Sequence, residues 1–316
     1  SAQRVDDSLT RLSHSIQPEI INRASSFDFD LSQIRICRTA NLDEILIMNR
    51  KEWYETATRQ LVNQATSQKK SAKKAQKEEK QEAQFRSSEL STSSDKTGVS
   101  FKGSLFQANY YSTKFQRRGQ LLYAVLSDLR KKCPSFNLFP QNDKNSSPTT
   151  IKIASIGGGP GTDAAGLLWI QKDFHPNQRF QVVLYDYETS WKRYAKTLAE
   201  LFAPGVEPIF LPCDVTKPLH HDYSNLKVDV SEMDLLLFFY VCHETSQRQN
   251  KKEPFAFYRQ VAEAAKPGTL VVLADVKQRS RPCLEKVFQT MAAVRKVLRM
   301  DSSKDHNAEV LAFRLL

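Results

Sequence analysis

Residues 151–316 predict an α/β fold: a doubly wound, seven-stranded and mainly parallel sheet with helices on both faces. Three observations carry this. From Ile151 onward, short apolar runs alternate with segments of helical period. The runs are nearly continuous, as strands are when both faces of a sheet are covered. The first run, Ile151-Lys-Ile-Ala-Ser-Ile, passes straight into Gly-Gly-Gly-Pro-Gly and then into an apolar helical segment, Ala164 to Ile170.

Strands are predicted at 151–156, 180–186, 207–211, 233–241, 269–276 and 308–315, and helices at 162–172, 188–202, 254–265 and 282–298. Lys266-Pro-Gly-Thr is a turn signal before the fifth strand. Asp301–Asn307 reads as a polar turn, after which Glu309-Val-Leu-Ala-Phe-Arg-Leu-Leu folds back as an antiparallel strand.

The first half is organised differently. Residues 1–66 form a helical accessory region, with Ile45, Met48, Trp53 and Leu61 near helical spacing from Asn41 to Gln64. Asp43 and Glu44 favour a helix start there. Residues 67–100 read as a disordered, low-complexity mobile insert, first rich in Lys, Glu, Gln and Ala and then in Ser and Thr. A lone charged helix is the alternative for its first half. Residues 101–149 form a helical lid and linker. An amphipathic helix is predicted from Tyr111 to Lys131, its basic end suiting the helix dipole and Pro134 stopping it.

The net charge is +11, of which residues 1–150 carry +8 and residues 151–316 only +3. A basic accessory region suits a polyanionic partner such as RNA, and a solvated polar tail is the other reading. Five scattered cysteines (Cys37, Cys133, Cys213, Cys242, Cys283) with no C-x-x-C pair point to a reducing intracellular compartment and away from a disulfide framework or zinc knuckle. His220 and His221 lack partners for a metal site, so no metal is expected. The longest apolar stretch, ending at Cys242, is too short to cross a bilayer, so no membrane association is expected. The chain opens on Ser1 with no signal-peptide core, which leaves room for a preceding targeting segment.

The glycine spacing separates two cofactor classes. Dinucleotide sites want G-x-G-x-x-G. Gly157, Gly159 and Gly161 give G-x-G-x-G, with Thr162 where that pattern needs glycine and Asp163 just beyond. Asp186 ends the second strand, 27 residues after Gly159, against about 20 for dinucleotide folds. Together with the final antiparallel strand, these residues resemble the class I, Rossmann-like S-adenosylmethionine (SAM)-dependent methyltransferases over about 165 residues, Lys152 to Leu316. A similarity to eukaryotic rRNA methyltransferases rests on charge and layout.

The resemblance implies SAM as cofactor. It places the methionine part on Gly157, Gly158, Gly159 and Gly161, the ammonium near Asp163, the ribose hydroxyls on Asp186, and the adenine near Asp214 and Val215. Helix capping is the alternative for Asp163, and an ordinary turn is the alternative for Asp186 and Asp214. Tyr187 and Trp191 pack on the adenosine or belong to the core. Tyr240, Cys242, His243 and Glu244 follow the fourth strand and border the reacting region; Tyr240, His243 and Glu244 are the candidate catalytic residues, Tyr240 also touching cofactor. His243 is the first choice of base by its ordinary pKa. Tyr110, Tyr111, Arg117 and Arg118 are candidates for contact with a flat, anionic substrate, with aromatic lid packing the alternative for the two tyrosines. Neither the Asn/Asp-Pro-Pro-Tyr/Phe motif of amino-group methylators nor the cysteine pair of cytosine-C5 enzymes is present. The expected activity is methyl transfer to RNA, rRNA bases first, in the nucleus, nucleolus or cytoplasm. A protein or small-molecule methyltransferase and a non-catalytic SAM-binding protein are the alternatives.

Overall fold

A computed structural model describes residues 49–67, 77, 103–132, 150–203, 205–219, 229–246, 252–276, 280–303 and 308–316. These fall in one compact unit, Met48–Leu316. The predicted helix start at Asp43 and Glu44, nearly all of the insert, and Cys37, Cys133, His220 and His221 lie outside the described residues.

Helix α1 spans Arg50–Thr66. Its N-cap is Asn49, whose side chain accepts from the Glu52 amide at 3.0 Å while Glu52 reaches back to the Asn49 amide, a reciprocal capping box. Helix α2 (Ser104–Tyr110), a π-helical turn (Tyr111–Phe115) and helix α3 (Gln116–Lys132) run on as one segment, which begins at Ser104 rather than at the predicted Tyr111. Strand β1 (Thr150–Ile156) leads to α4 (Thr162–Phe174). Strand β2 (Arg179–Asp186) is followed by a 3-10 turn (Thr189–Tyr194) and α5 (Ala195–Phe202), then β3 (Val206–Pro212). Next come β4 (Leu235–Phe239), α6 (Val241–Ser246), α7 (Ala256–Ala264), β5 (Leu270–Val276) and α8 (Arg281–Ala292). Two strands close the order, β6 (Val297–Ser303) and β7 (Ala308–Leu315).

Three expectations are corrected here. The predicted strand 233–241 shrinks to Leu235–Phe239, because Tyr240 turns to φ +64° and Val241 opens α6. The predicted helix 282–298 stops at Ala292, and Val297–Ser303 is a strand. The apolar positions Val287, Met291, Val294 and Leu298 continue a helical spacing, but pairing with β7 overrides it. Asp301–Ser303, read above as a turn, belong to that strand.

The sheet order is β3-β2-β1-β4-β5-β7-β6. Strands β1 to β5 are parallel, β7 runs antiparallel to β5, and β6 runs antiparallel to β7. β1 pairs with β2 on one side and β4 on the other. The strand order therefore reverses at β1, and a crevice opens there beyond the carboxyl ends. Ala154, Ile156, Leu236, Phe238, Val271 and Leu273 bury one face of the sheet against α7 and α8 residues such as Tyr258, Val261, Leu284 and Met291. Strand alternation sends Ile153, Val182, Leu184, Leu235 and Leu237, also buried, to the other face.

The helices before β1 are part of this body. Trp53 on α1 meets Tyr54, Trp169 and Phe202 with ring centroids 5.0–5.8 Å apart, and Phe115 at 6.3 Å. The Arg50 guanidinium lies 3.7 Å over the Tyr123 ring and pairs with Asp173 at 2.7 Å. Helix α3 packs closely on α4. A Cβ placed on Gly166 would stand 2.6 Å from the Gly119 carbonyl oxygen, so that crossing leaves no room for a side chain. Among the described residues no helix is long and apolar enough to cross a membrane.

Candidate functional site

The site is built on the carboxyl ends of β1, β2 and β4. At the end of β1 the chain turns through Gly157 (φ +79°) and Gly161 (φ +75°) before α4 begins. The Gly157 amide donates to the Tyr185 carbonyl at 2.7 Å, and the Gly161 amide to the Gly158 carbonyl at 2.8 Å. Gly159 is where bare backbone matters most. A Cβ there would fall 2.5 Å from both Asp186 Oδ2 and Trp191 Cδ1. Only glycine lets β2 and the turn after it close onto the loop.

Asp186 stands at the end of β2, as expected. Its Oδ2 accepts from the Gly159 amide at 2.9 Å and its Oδ1 from the Glu188 amide at 2.8 Å. Burial pushes its pKa up to about 6, against the pull of those two amide bonds. Glu188 is itself buried and caps the 3-10 turn through the Ser190 amide at 2.9 Å.

Asp163 does not cap α4, whose N-cap is Gly161. It turns inward, 2% exposed, and accepts from the Ser155 hydroxyl at 2.7 Å. Burial again raises its pKa to about 6; the Ser155 bond and the Arg118 charge oppose the rise. Ser155 is absent from the sequence-based candidates. A hydroxyl one residue before the carboxyl end of β1, beside the glycine loop, is the signal that marks it.

Arg118 reaches into the site from the first turn of α3. Its guanidinium lies 4.1 Å over the Tyr240 ring and 5.1 Å over the Tyr110 ring, and it donates to the Tyr110 hydroxyl. Its charge lowers the pKa values of Asp163, Asp186 and Tyr240 together. Arg117 is exposed beside it, and its charge also reaches Tyr240. The Tyr240 hydroxyl is nevertheless pushed up, mainly by burial. Tyr240 has left-handed backbone, uncommon for an aromatic residue and a form of strain found at functional sites.

Tyr110 and Tyr111 diverge. Tyr110 packs on Trp191 at 5.5 Å and lies under Arg118. Tyr111 is fully buried among Phe115, Trp191 and Tyr194, the nearest ring 4.9 Å away, which gives it the packing role. Trp191 is 2% exposed, while Tyr187 projects at 72%. Gln107, absent from the sequence-based candidates, is buried on α2. Its side chain donates to Ser190 Oγ at 2.7 Å and accepts from Tyr194 Oη at 3.0 Å and from Arg193. A lone amide on a buried aromatic helix face is its signal.

Asp214 closes its own turn, accepting from the Thr216 amide at 3.0 Å and the Thr216 hydroxyl at 2.6 Å. Val215 is buried in the core. His243 and Glu244 lie on α6, directly after β4, so the backbone carries them to the same end of the sheet as the glycine loop. A separate groove lined by Thr150, Arg179, Gly205 and Glu207 opens at the amino ends of β1, β2 and β3, away from all of these residues.

The residue types fit an adenosyl cofactor: a glycine-rich loop at the end of β1, a carboxylate at the end of β2, and a second buried carboxylate at the start of α4. The space directly over Gly159 is filled by the chain's own Asp186 and Trp191.

No family model matches this sequence, and no curated protein matches it. Among solved structures, the chain is similar to the DszA carbon methyltransferase (TM-score 0.40, 14% identity), over 66% of this chain and 54% of that one. It is similar to an O-methyltransferase family 2 protein from Planctomyces limnophilus (TM-score 0.37, 11% identity), over 70% and 72%. It is also similar to an rRNA methylase from Streptococcus thermophilus (TM-score 0.34, 15% identity), over 54% and 89%. The chain thus spans about half the length of DszA. At this level of likeness none of the three assigns an activity or an acceptor to this chain.

Proposed function

We propose that the chain is a SAM-dependent methyltransferase acting on RNA. One observation carries the cofactor assignment: the Asp186 carboxylate, at the end of β2, is hydrogen-bonded to the amide of Gly159 in the loop that ends β1. That contact joins an acceptor suited to two ribose hydroxyls with a backbone cradle suited to the methionyl part. Bound there, the cofactor would supply an activated methyl carbon.

The protein's share is positioning and proton removal. Asp186 would hold the ribose hydroxyls, and the backbone from Gly157 to Gly161 would line the methionyl part. Asp163, held at the start of α4 by the Ser155 hydroxyl, would face the ammonium. Asp214 and Val215 would border the adenine. Tyr240 would order the acceptor at the end of β4, and His243, with Glu244 second, would take a proton from an imide or hydroxyl acceptor. The charge of +8 on residues 1–150, with exposed Arg117 close enough for its charge to reach Tyr240, supports a polyanionic acceptor.

Titration calorimetry with SAM and with S-adenosylhomocysteine tests the cofactor, with NAD as control. Asp186→Ala is expected to weaken binding by about ten- to a hundredfold, the scale of one charged hydrogen-bond set. Tight NAD binding with no response to either adenosyl ligand overturns the assignment. Labelled methyl transfer into purified RNA, falling with salt, tests the acceptor; binding without incorporation removes RNA and leaves the cofactor.

A further inference from the structure

Side chains form a continuous strap across the crevice, from the end of β4 to the end of β2. Tyr240 lies under the Arg118 guanidinium at 4.1 Å, and Arg118 holds Tyr110 by a hydrogen bond and by its ring. Tyr110 packs on Trp191 at 5.5 Å. Trp191 and the Asp186 carboxylate then sit on Gly159, so closely that one added carbon would collide with both. Tyr110 and Trp191 are 4% and 2% exposed. The strap therefore covers the switch point where open α/β sheets take their ligands.

One turn before Arg118 the helix widens into the π-helical turn Tyr111–Phe115. A π turn holds one residue more than α-helical winding needs, and such turns recur at functional sites. Relaxing it to α-helix turns the segment on one side by about 100°, the angle of one residue in an α-helix. Ser112 and Thr113 already donate to the Asn109 carbonyl, at 2.9 and 2.7 Å, so this turn has side-chain partners of its own.

We propose that Arg118 is a removable plug. Its guanidinium, clasped by Tyr240 and Tyr110, keeps the crevice shut, and rewinding of the π turn withdraws it to admit ligand. The charge of Arg118 also serves the closed state, because it answers the two buried carboxylates, Asp163 and Asp186. The ligand identity rests on the cofactor reading above; the plug itself is a property of the free protein.

Stopped-flow tryptophan fluorescence with SAM and S-adenosylhomocysteine, together with hydrogen exchange of the free protein, tests this in the full chain. Apparent affinity scales with the open fraction. Arg118→Leu is thus expected to speed association and tighten binding by about tenfold. It should also speed amide exchange at 104–118 and 157–161 while leaving β5 unchanged. Arg118→Lys, which keeps charge but loses planar stacking, should fall between it and the parent. Weaker binding in Arg118→Leu would make the guanidinium a ligand contact, and weaker or unchanged binding alike overturns the plug. If neither ligand binds any form, the cofactor reading fails. Exchange alone then judges the plug: faster exchange in Arg118→Leu supports it, and unchanged exchange overturns it.

Discussion

Asp163 is a carboxylate that water scarcely reaches, and that has a cost with a definite sign. Burial raises its folded pKa to about 6, from an ordinary 3.8. Below 3.8 the acid is protonated folded or unfolded, and its charge penalises nothing. As pH rises from 3.8 to 6, the unfolded chain loses its proton first, so the folded state loses stability through that window. Above about 6 the loss is complete, on the order of 3 kcal/mol. Asp163→Asn keeps an acceptor for Ser155 without the charge. Denaturation midpoints should show it more stable than the parent by about 1–3 kcal/mol at pH 8, with the gain gone by pH 4. A gain that persists at low pH would contradict this account. At this scale the sequence was readable where a residue type has one strong reason to be present, as with Gly159 and Asp186. It was silent on partners. Nothing in the spacing ties Gln107 to Ser190 or Arg118 to Tyr240, because those contacts join distant parts of the chain; Ser155 and Asp163 are eight residues apart and meet only because the glycine turn between them folds back.

Helix α3 and helix α4 cross at Gly119 and Gly166, and two opposed effects meet there. In an exposed helix, Gly→Ala gains up to about 1 kcal/mol from propensity. At Gly166 the added carbon would press to 2.6 Å on a backbone oxygen that has no rotamer to yield. Overpacking of that kind costs about 1–3 kcal/mol and should win. Gly166→Ala is therefore expected to lower the thermal midpoint and, by pushing α3 outward, to disturb Arg118; an unchanged midpoint would mean the crossing is looser than described. Elements were legible where periodicity was unambiguous. Strands β1, β2, β3, β5 and β7 were placed within a residue of their ends. β6 was misassigned because its apolar positions fit the preceding helical spacing and only a neighbouring strand decides between the two. The π turn leaves no compositional mark at all.

For the molecule as a whole, the question is whether the helices before β1 are an appendage or part of the body. Trp53, Tyr54, Ala57, Leu61 and Ala65 are buried on α1, and Trp53 meets rings from α4, α5 and the π turn. Losing a buried tryptophan costs about 3–5 kcal/mol. Trp53→Ala should shift one cooperative unfolding transition by that amount, the same by circular dichroism and by exchange at β5. Two separated transitions would instead make α1 an independent unit. The alternation of strands and helices announced the α/β body, but low-complexity neighbours hid how firmly α1 belongs to it.

The pairing of β6 imposes an order of events. Residues 297–303 emerge before 308–315, yet their sheet neighbour is β7, which also occupies the free side of β5. A nascent chain stalled just past Ser303 would hold five parallel strands with the edge of β5 bare and β6 unable to dock. Such an uncovered edge is a template for another chain. Pausing anywhere between Val276 and the completion of β7 should therefore promote aggregation, and completing β7 should end it.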